Sequence, residues 1–210
     1  MRLLAGSMRE STSGRETMPD HESIADLETM SGRESPSDRV AALDLGCGSG
    51  RHIQLLIDLG FHPVHGIDTS ENSVRLCRSR FPGADFLCPA PEMLARNEYA
   101  LPHGDAHFQV VVLWGVLHYN SSPLQNAMLA EVRRMLVPGG CALGTLRAHG
   151  DTHFRNNADV GDAAMQYFTE DKARELLYSH FDRVEIGYME RTPVGDLSRR
   201  ICHWIFRAIR

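Results

Sequence analysis

At 210 residues the chain has room for one catalytic-sized unit with a full hydrophobic core, since domains span about 50 to 250 residues. Hydrophobic residues make up 42% and charged residues 23% of it, the balance of a globular protein, and no apolar run reaches the roughly 20 residues that a membrane span requires. A formal charge of −5 argues against a chain whose main task is gripping a phosphate backbone, an affinity that comes from clustered Lys and Arg.

Residues 1–37 are rich in Ser, Thr, Gly, Arg and Glu and poor in apolar side chains. Little burial offsets the entropy of ordering them, so the segment reads as a flexible leader. Within it Ile24, Leu27 and Met30 recur at helical spacing, which makes 21–30 a candidate lid helix; translation beginning at Met18 or Met30 is the competing reading. The opening residues lack the apolar stretch of a signal peptide, and the default location is cytoplasmic. Five scattered cysteines without a C-x-x-C pair read as reduced, buried thiols.

From residue 38 to residue 210 the pattern is that of one α/β domain. Val40 to Asp44 reads as a strand, followed by a helix over Arg51 to Leu59 that Gly60 closes. Pro63 to Asp68 gives a second strand, and Ser70 caps a helix that Pro82-Gly83 stops. Asp85 to Cys88 is a short third strand. The continuous apolar run from Phe108 to Trp114 suits a central strand covered on both faces. Ser122-Pro123 opens a helix that ends at Val137-Pro138-Gly139-Gly140, and a fifth strand covers Cys141 to Leu146. Thr169, with Glu170 and Asp171 behind it, starts a last helix through Tyr178. Arg183 to Tyr188 and Ile201 to Phe206 have only a turn region between them, so they pair antiparallel as a terminal hairpin. Strands separated by helices imply right-handed crossovers, hence a doubly wound, mostly parallel sheet of seven strands ending in that hairpin.

In such a sheet ligands bind beyond the carboxyl ends of the strands, where Gly46 to Gly50 falls. Gly46, Gly48 and Gly50 do not keep the G-x-G-x-x-G spacing of a dinucleotide site, and a bulky Arg51 stands where that site needs a third small residue. A nicotinamide-dependent oxidoreductase is disfavoured on that ground. Asp44, two residues before the first glycine, suits the amino group of an aminocarboxypropyl tail and would be a poor neighbour for a pyrophosphate. Asp68 ends the second strand, placed to accept from both ribose hydroxyls. The pair describes a ligand with a ribose, a cationic end and no phosphate.

Ala42 to Gly50, Gly66-Ile67-Asp68 and Leu136 to Gly140 resemble the signature segments of class I S-adenosylmethionine-dependent methyltransferases, and the resemblance runs from Val40 to the C-terminus. It implies a Rossmann-like methyltransferase fold, S-adenosylmethionine as cofactor and S-adenosylhomocysteine as product. It further implies that Asp44, Gly46, Cys47, Gly48 and Gly50 cradle the methionine part, that Asp68 with Thr69 holds ribose, and that Leu113 and Trp114 flank the sulfonium. Family members often meet adenine with a backbone N–H after the third strand; here that stretch is Ala90, Pro91 and Glu92, and Pro91 has no N–H to give. An aspartate common at the start of the fourth strand is Gln109.

Methyl transfer is an in-line displacement at an activated carbon, so a base is needed only where the acceptor must lose a proton. His118 and Tyr119 follow the fourth strand and are the candidate catalytic residues, against a reading of His118 as a structural cap. Arg147, His149 and Tyr167 are candidate substrate contacts, Arg147 for an anionic group. His149, Asp151 and His153 alternate along a loop, but no metal is assigned to them. Chain size, acidic balance and the lack of an Asn/Asp-Pro-Pro-aromatic segment after the fourth strand point to a small-molecule methyl acceptor, with no nucleic acid and no membrane partner, in a monomer or homodimer. The alternative is a non-catalytic adenosyl-ligand-binding or regulatory module on the same fold.

Overall fold

The computed structural model describes residues 40–90, 99–152 and 165–210. The leader at 1–37 with its candidate lid at 21–30, the residues Pro91 and Glu92, and His153 lie outside the described residues.

Seven strands form one sheet: β1 (Ala42–Leu45), β2 (Val64–Ile67), β3 (Asp85–Leu87), β4 (Phe108–Leu113), β5 (Leu136–Arg147), β6 (Arg183–Arg191) and β7 (Ile201–Ile209). Their order is β3-β2-β1-β4-β5-β7-β6. The first five are parallel, while β7 runs antiparallel to both β5 and β6. The doubly wound sheet with a terminal hairpin is thus the architecture expected from the sequence. The order reverses between β1 and β4, which opens a crevice at their carboxyl ends.

Apolar alternation along the strands fills two cores. Leu43, Val111, Ala142 and Phe206 face one side, where α3 (Ser122–Met135) and α4 (Glu170–Tyr178) lay down Met128, Leu129, Val132, Ala173 and Leu177. Ala42, Val110, Val112 and Cys141 face the other, beneath α1 (Arg51–Asp58) and α2 (Glu71–Arg80). A strand with both faces buried reads as the unbroken apolar run seen at Val110-Val111-Val112. The caps act as their residue types require: the Ser70 side chain accepts from Ser73 N, and Thr169 accepts from Lys172 N.

Several strand boundaries differ from expectation. Strand β5 begins at Leu136, five residues early, because Phe108 pairs with Leu136 and Val110 with Cys141. Val137 to Gly140 bulge out between those pairs, with Gly139 at φ +78°. The Pro-Gly-Gly stretch therefore interrupts a strand as well as ending a helix. β6 and β7 also run three residues longer than the apolar pattern shows, since pairing across the hairpin continues through polar positions.

Candidate functional site

The β1–α1 turn runs from Gly46 to Gly50. Gly46 and Cys47 both donate from the backbone to the Ile67 carbonyl, at 2.7 and 3.0 Å, which ties the turn to the end of β2. Gly46 has φ +82°, and a Cβ there would strike the Val116 side chain; only glycine meets both conditions. Gly48 also lies at positive φ, with open space where a Cβ would be, so ligand atoms can approach its backbone closely. Gly50, at φ +85°, is the N-cap of α1. The Cys47 thiol does not face a ligand: it is buried under the turn, and burial pushes its pKa up.

A cavity of about 250 Å³ opens beside this turn, lined by Leu45, Gly46, Asp68, Thr69, Tyr99, Gly115, Val116, Tyr119 and Asn120 among others. The carboxylate of Asp68 grips both loops that frame it. Its Oδ2 accepts from Gly48 N at 2.8 Å and its Oδ1 from Ser70 N at 2.9 Å. Asp44 lies behind the turn, on the α1 side of the sheet. It is fully buried, neither carboxylate oxygen has a hydrogen-bond partner, and His52 Nδ1 lies 3.5 Å from Oδ1. A buried carboxylate without hydrogen bonds is costly. A glycine cradle that leaves backbone approachable, an unsatisfied buried acid beneath it and a carboxylate at the cavity wall together fit a ligand with a cationic amino-acid end and a ribose. The residues present thus fit S-adenosylmethionine.

The other cofactor candidates fall differently. Thr69 lines the cavity and Ala90, three residues past β3, is exposed. Leu113 is sealed in the core and offers only its place in the backbone. Trp114 points to the α1 side, its ring 5.9 Å from that of His52, packed against the second core and not in the cavity wall.

On the acceptor side a 3-10 turn, Leu117–Tyr119, follows β4. Tyr119 is 45% exposed at the cavity mouth. His118 is 1% exposed, bonded to the Thr145 backbone, with Nδ1 buried and unsatisfied. Burial and the neighbouring His203 and Arg147 lower its pKa to about 4, so it is neutral at pH 7. Arg147 is ion-paired: its Nε lies 2.6 Å from Oδ2 of Asp151, an acid that is itself buried and accepts from Cys202 N. The ion pair leaves Arg147 little net charge to offer an anionic acceptor. His149 is exposed, with Nε2 3.1 Å from the Tyr167 carbonyl, and the Tyr167 phenol is pushed up by burial. His149 and Asp151 instead line a separate cavity with Thr152, Ser198 and Arg200. Among the described residues no three His, Cys, Asp or Glu side chains are grouped to hold a metal.

Three residues escaped the sequence reading. Tyr99, buried in the cavity wall and with its phenol pKa raised by burial, follows a stretch without periodic signal. Asn120 lines the mouth beside Tyr119. Gln125, buried in α3, donates to the Leu117 and Asn120 carbonyls at 3.0 and 2.9 Å and so holds the turn that carries His118 and Tyr119. A polar residue on the apolar stripe of a helix was the available signal for Gln125.

Residues 42–140 match the model of a family described as a methyltransferase domain. A tRNA U34 carboxymethyltransferase from Idiomarina loihiensis is 31% identical over 116 residues, covering 52% of this chain and 33% of that protein. A tRNA U34 carboxymethyltransferase from Vibrio cholerae is 34% identical over 115 residues, covering 53% of this chain and 33% of its own length. The chain thus spans about a third of the length of the curated relatives it matches. Among solved structures, a SAM-dependent methyltransferase from Methanosarcina mazei superposes with TM-score 0.63 at 20% identity, over 82% of this chain and 92% of that one. These relatives overturn the expectation of a small-molecule acceptor and no nucleic acid. That expectation summed charge over the whole chain, which hides local surfaces. It also leaned on a missing segment that speaks only to methylation of exocyclic amines. No helix among the described residues is long and apolar enough to cross a membrane.

Proposed function

We propose that this chain, whose residues 42–140 match the methyltransferase-domain family, transfers a methyl group from S-adenosylmethionine to an RNA, with a tRNA uridine as the substrate to test first. The resemblance read from the sequence is borne out in family, fold and cofactor. The RNA acceptor is supported by one observation: relatives more than 30% identical across half the chain are named tRNA U34 carboxymethyltransferases, a name that speaks for the acceptor and not for the methyl group.

Bound S-adenosylmethionine supplies a methyl carbon activated by its positive sulfur, so the protein's task is mostly placement. Asp68 accepts from the ribose hydroxyls with the lone pairs left by Gly48 N and Ser70 N. Asp44 offers negative charge beneath the turn toward the cationic end, directly or through water. Tyr119 and Asn120, at the cavity mouth, orient the acceptor. His118, held unprotonated, lies directly behind Tyr119 with Nδ1 buried. With a pKa near 4 it is a weak base, which serves an acceptor that ionises easily and fails one that does not.

The test is to incubate the full chain with S-adenosylmethionine and bulk tRNA, digest the RNA and weigh the nucleosides. A uridine derivative heavier by one methyl-for-hydrogen exchange, with matching release of S-adenosylhomocysteine, is expected. Product release with small metabolites but none with RNA overturns the acceptor class. No binding of either adenosyl ligand leaves only a non-catalytic module.

A further inference from the structure

Tyr99 reaches the cofactor cavity from a stretch of chain, residues 99–107, that forms neither helix nor strand. It lines the cavity together with Asp68 and Met128, is 8% exposed, and packs in the same core as Met128. Burial raises the pKa of its phenol, and the charges of Glu131 and Asp68 raise it further. The ring is therefore neutral at pH 7 and within reach of both an acid of α3 and the acid that follows β2.

A pair of charged residues on α3 fixes that stretch. Glu131 is buried, and its Oε1 accepts from Leu101 N at 2.7 Å. Arg134, one turn further on, donates to both oxygens of Glu131, from Nε to Oε2 at 2.7 Å and from Nη2 to Oε1 at 2.6 Å. The same guanidinium donates to the His103 carbonyl at 2.8 Å and to Oδ1 of Asp105 at 2.5 Å. At the end of the helix the Arg134 and Met135 carbonyls accept from Ala106 N and His107 N, at 3.0 and 2.7 Å. Leu101 to His107 is thus stitched to the end of α3, and Tyr99 stands two residues before the first stitch.

Burial alone would raise the Glu131 pKa, but the Arg134 guanidinium and the Leu101 N–H outweigh it and hold the carboxyl below its ordinary value. Such a pair adds little stability over apolar residues of the same size. Its planar, two-pronged geometry admits few arrangements, so what it contributes is position. Met128 and Glu131 are one turn apart, so the stripe of α3 that brings Met128 to the cavity also carries the clamp. Tyr99 shares the cavity wall with Asp68, the proposed ribose acceptor, and a flat, neutral ring there suits the purine and sugar of the ligand rather than its charged tail.

We propose that Tyr99 contacts the adenosine half of S-adenosylmethionine and that Glu131 and Arg134 are positioning residues that hold it against the cavity. The inference concerns the cofactor and is independent of which acceptor is methylated.

The experiment is calorimetry on the full chain with two probes, S-adenosylhomocysteine and 5′-methylthioadenosine, the second of which keeps the adenosine and lacks the amino-acid tail. Thermal unfolding of the same samples reports on folding. Tyr99→Leu, which stays apolar and loses the flat ring, is expected to weaken both probes by a similar factor, at least about fivefold, while Tyr99→Phe binds within about twofold of wild type. Unchanged affinity in folded Tyr99→Leu, or a loss confined to S-adenosylhomocysteine, overturns the contact. Glu131→Ala is expected to weaken binding at least about threefold in the wild-type chain and to have no further effect in the Tyr99→Leu chain, because a clamp that acts through Tyr99 then has nothing to position. Glu131→Gln, whose amide oxygen still accepts from Leu101 N, should recover part of the loss. Arg134→Met, which removes the guanidinium and keeps an apolar stem, closes the same cycle from the other partner. If these changes cost the same factor with and without the Tyr99 ring, the pair is structural alone and the positioning role is wrong.

Discussion

Replacing Asp68 by alanine removes two separable things. The carboxylate accepts from Gly48 N at 2.8 Å and Ser70 N at 2.9 Å, so it is a strut between the glycine turn and the start of α2. Its remaining lone pairs are the proposed ribose acceptors. A hydrogen bond to a charged group contributes about 1.5–3 kcal/mol when buried, and less where water can replace it. Asp68 is only half-buried, so losing the strut is expected to cost about 1–2 kcal/mol of stability. Losing two ribose bonds should cost a further ~2 kcal/mol or more of affinity, roughly thirtyfold in Kd. Asp68→Asn separates the two. Its amide oxygen still accepts from one of the backbone donors, but its NH₂ group faces the other and cannot accept from a hydroxyl. It should therefore recover part of the stability and little of the affinity. Thermal unfolding and calorimetric titration with S-adenosylhomocysteine measure both quantities on the same samples. If Asp68→Ala melts lower yet binds within threefold of wild type, the carboxylate is a strut alone and ribose is held elsewhere.

Asp44→Asn should bind S-adenosylhomocysteine at least tenfold more weakly while melting no lower than wild type, because it removes a buried charge whose oxygens have no hydrogen-bond partner; a lower melting point with unchanged affinity would contradict the assignment. Gly46→Ala places a Cβ against Val116 at φ +82°, with an expected loss of about 2 kcal/mol or more in denaturant unfolding; Val116→Ala in the same chain should restore the steric part and not the backbone part. His118 has its folded pKa lowered to about 4 from an ordinary 6.5, so the unfolded chain binds the proton first. Its contribution to stability is full above about pH 6.5 and is lost as pH falls toward 4. Between pH 7.5 and 5 the loss is about 2 kcal/mol. His65, His103 and His203 are also lowered by burial and act in the same direction, so the measurement is the difference between wild type and His118→Gln. Equal pH slopes for the two proteins would refute the assignment to His118.

The parts of the site legible in the sequence are those made by backbone. Gly46, Gly48 and Gly50 are needed because the chain turns through positive φ and passes under Val116 and beside the α2 side chains. That constraint is local, and a local constraint leaves a readable spacing. Asp68 is legible for the same reason: it ends β2 and reaches a neighbour one strand away. The parts that were not legible depend on side chains from distant elements. Arg147 reads as a free cation until β7 brings Cys202 N to Asp151 and fixes the acid beside it. Tyr99 and Gln125 enter the site through packing of α3 on the sheet, and no spacing announces it. Trp114 sits apart from the cavity wall for a simpler reason: strand parity puts Leu113 and Trp114 on opposite faces, and one is in the core while the other turns toward His52.

The same contrast explains why the acceptor was misjudged. A cofactor is small and is held by a turn, so its signature is compact and survives in one segment. An RNA is gripped over tens of ångströms by charges that come from separate strands. Arg183, Arg191 and Arg207 are far apart in sequence and dilute into a net charge of −5, yet the register of β6 against β7 sets them on one face. Pairing places Glu185 opposite Arg207 there, 3.5 Å from both Arg183 and Arg207. Surface charge in a sheet protein is therefore a property of strand register before it is one of composition.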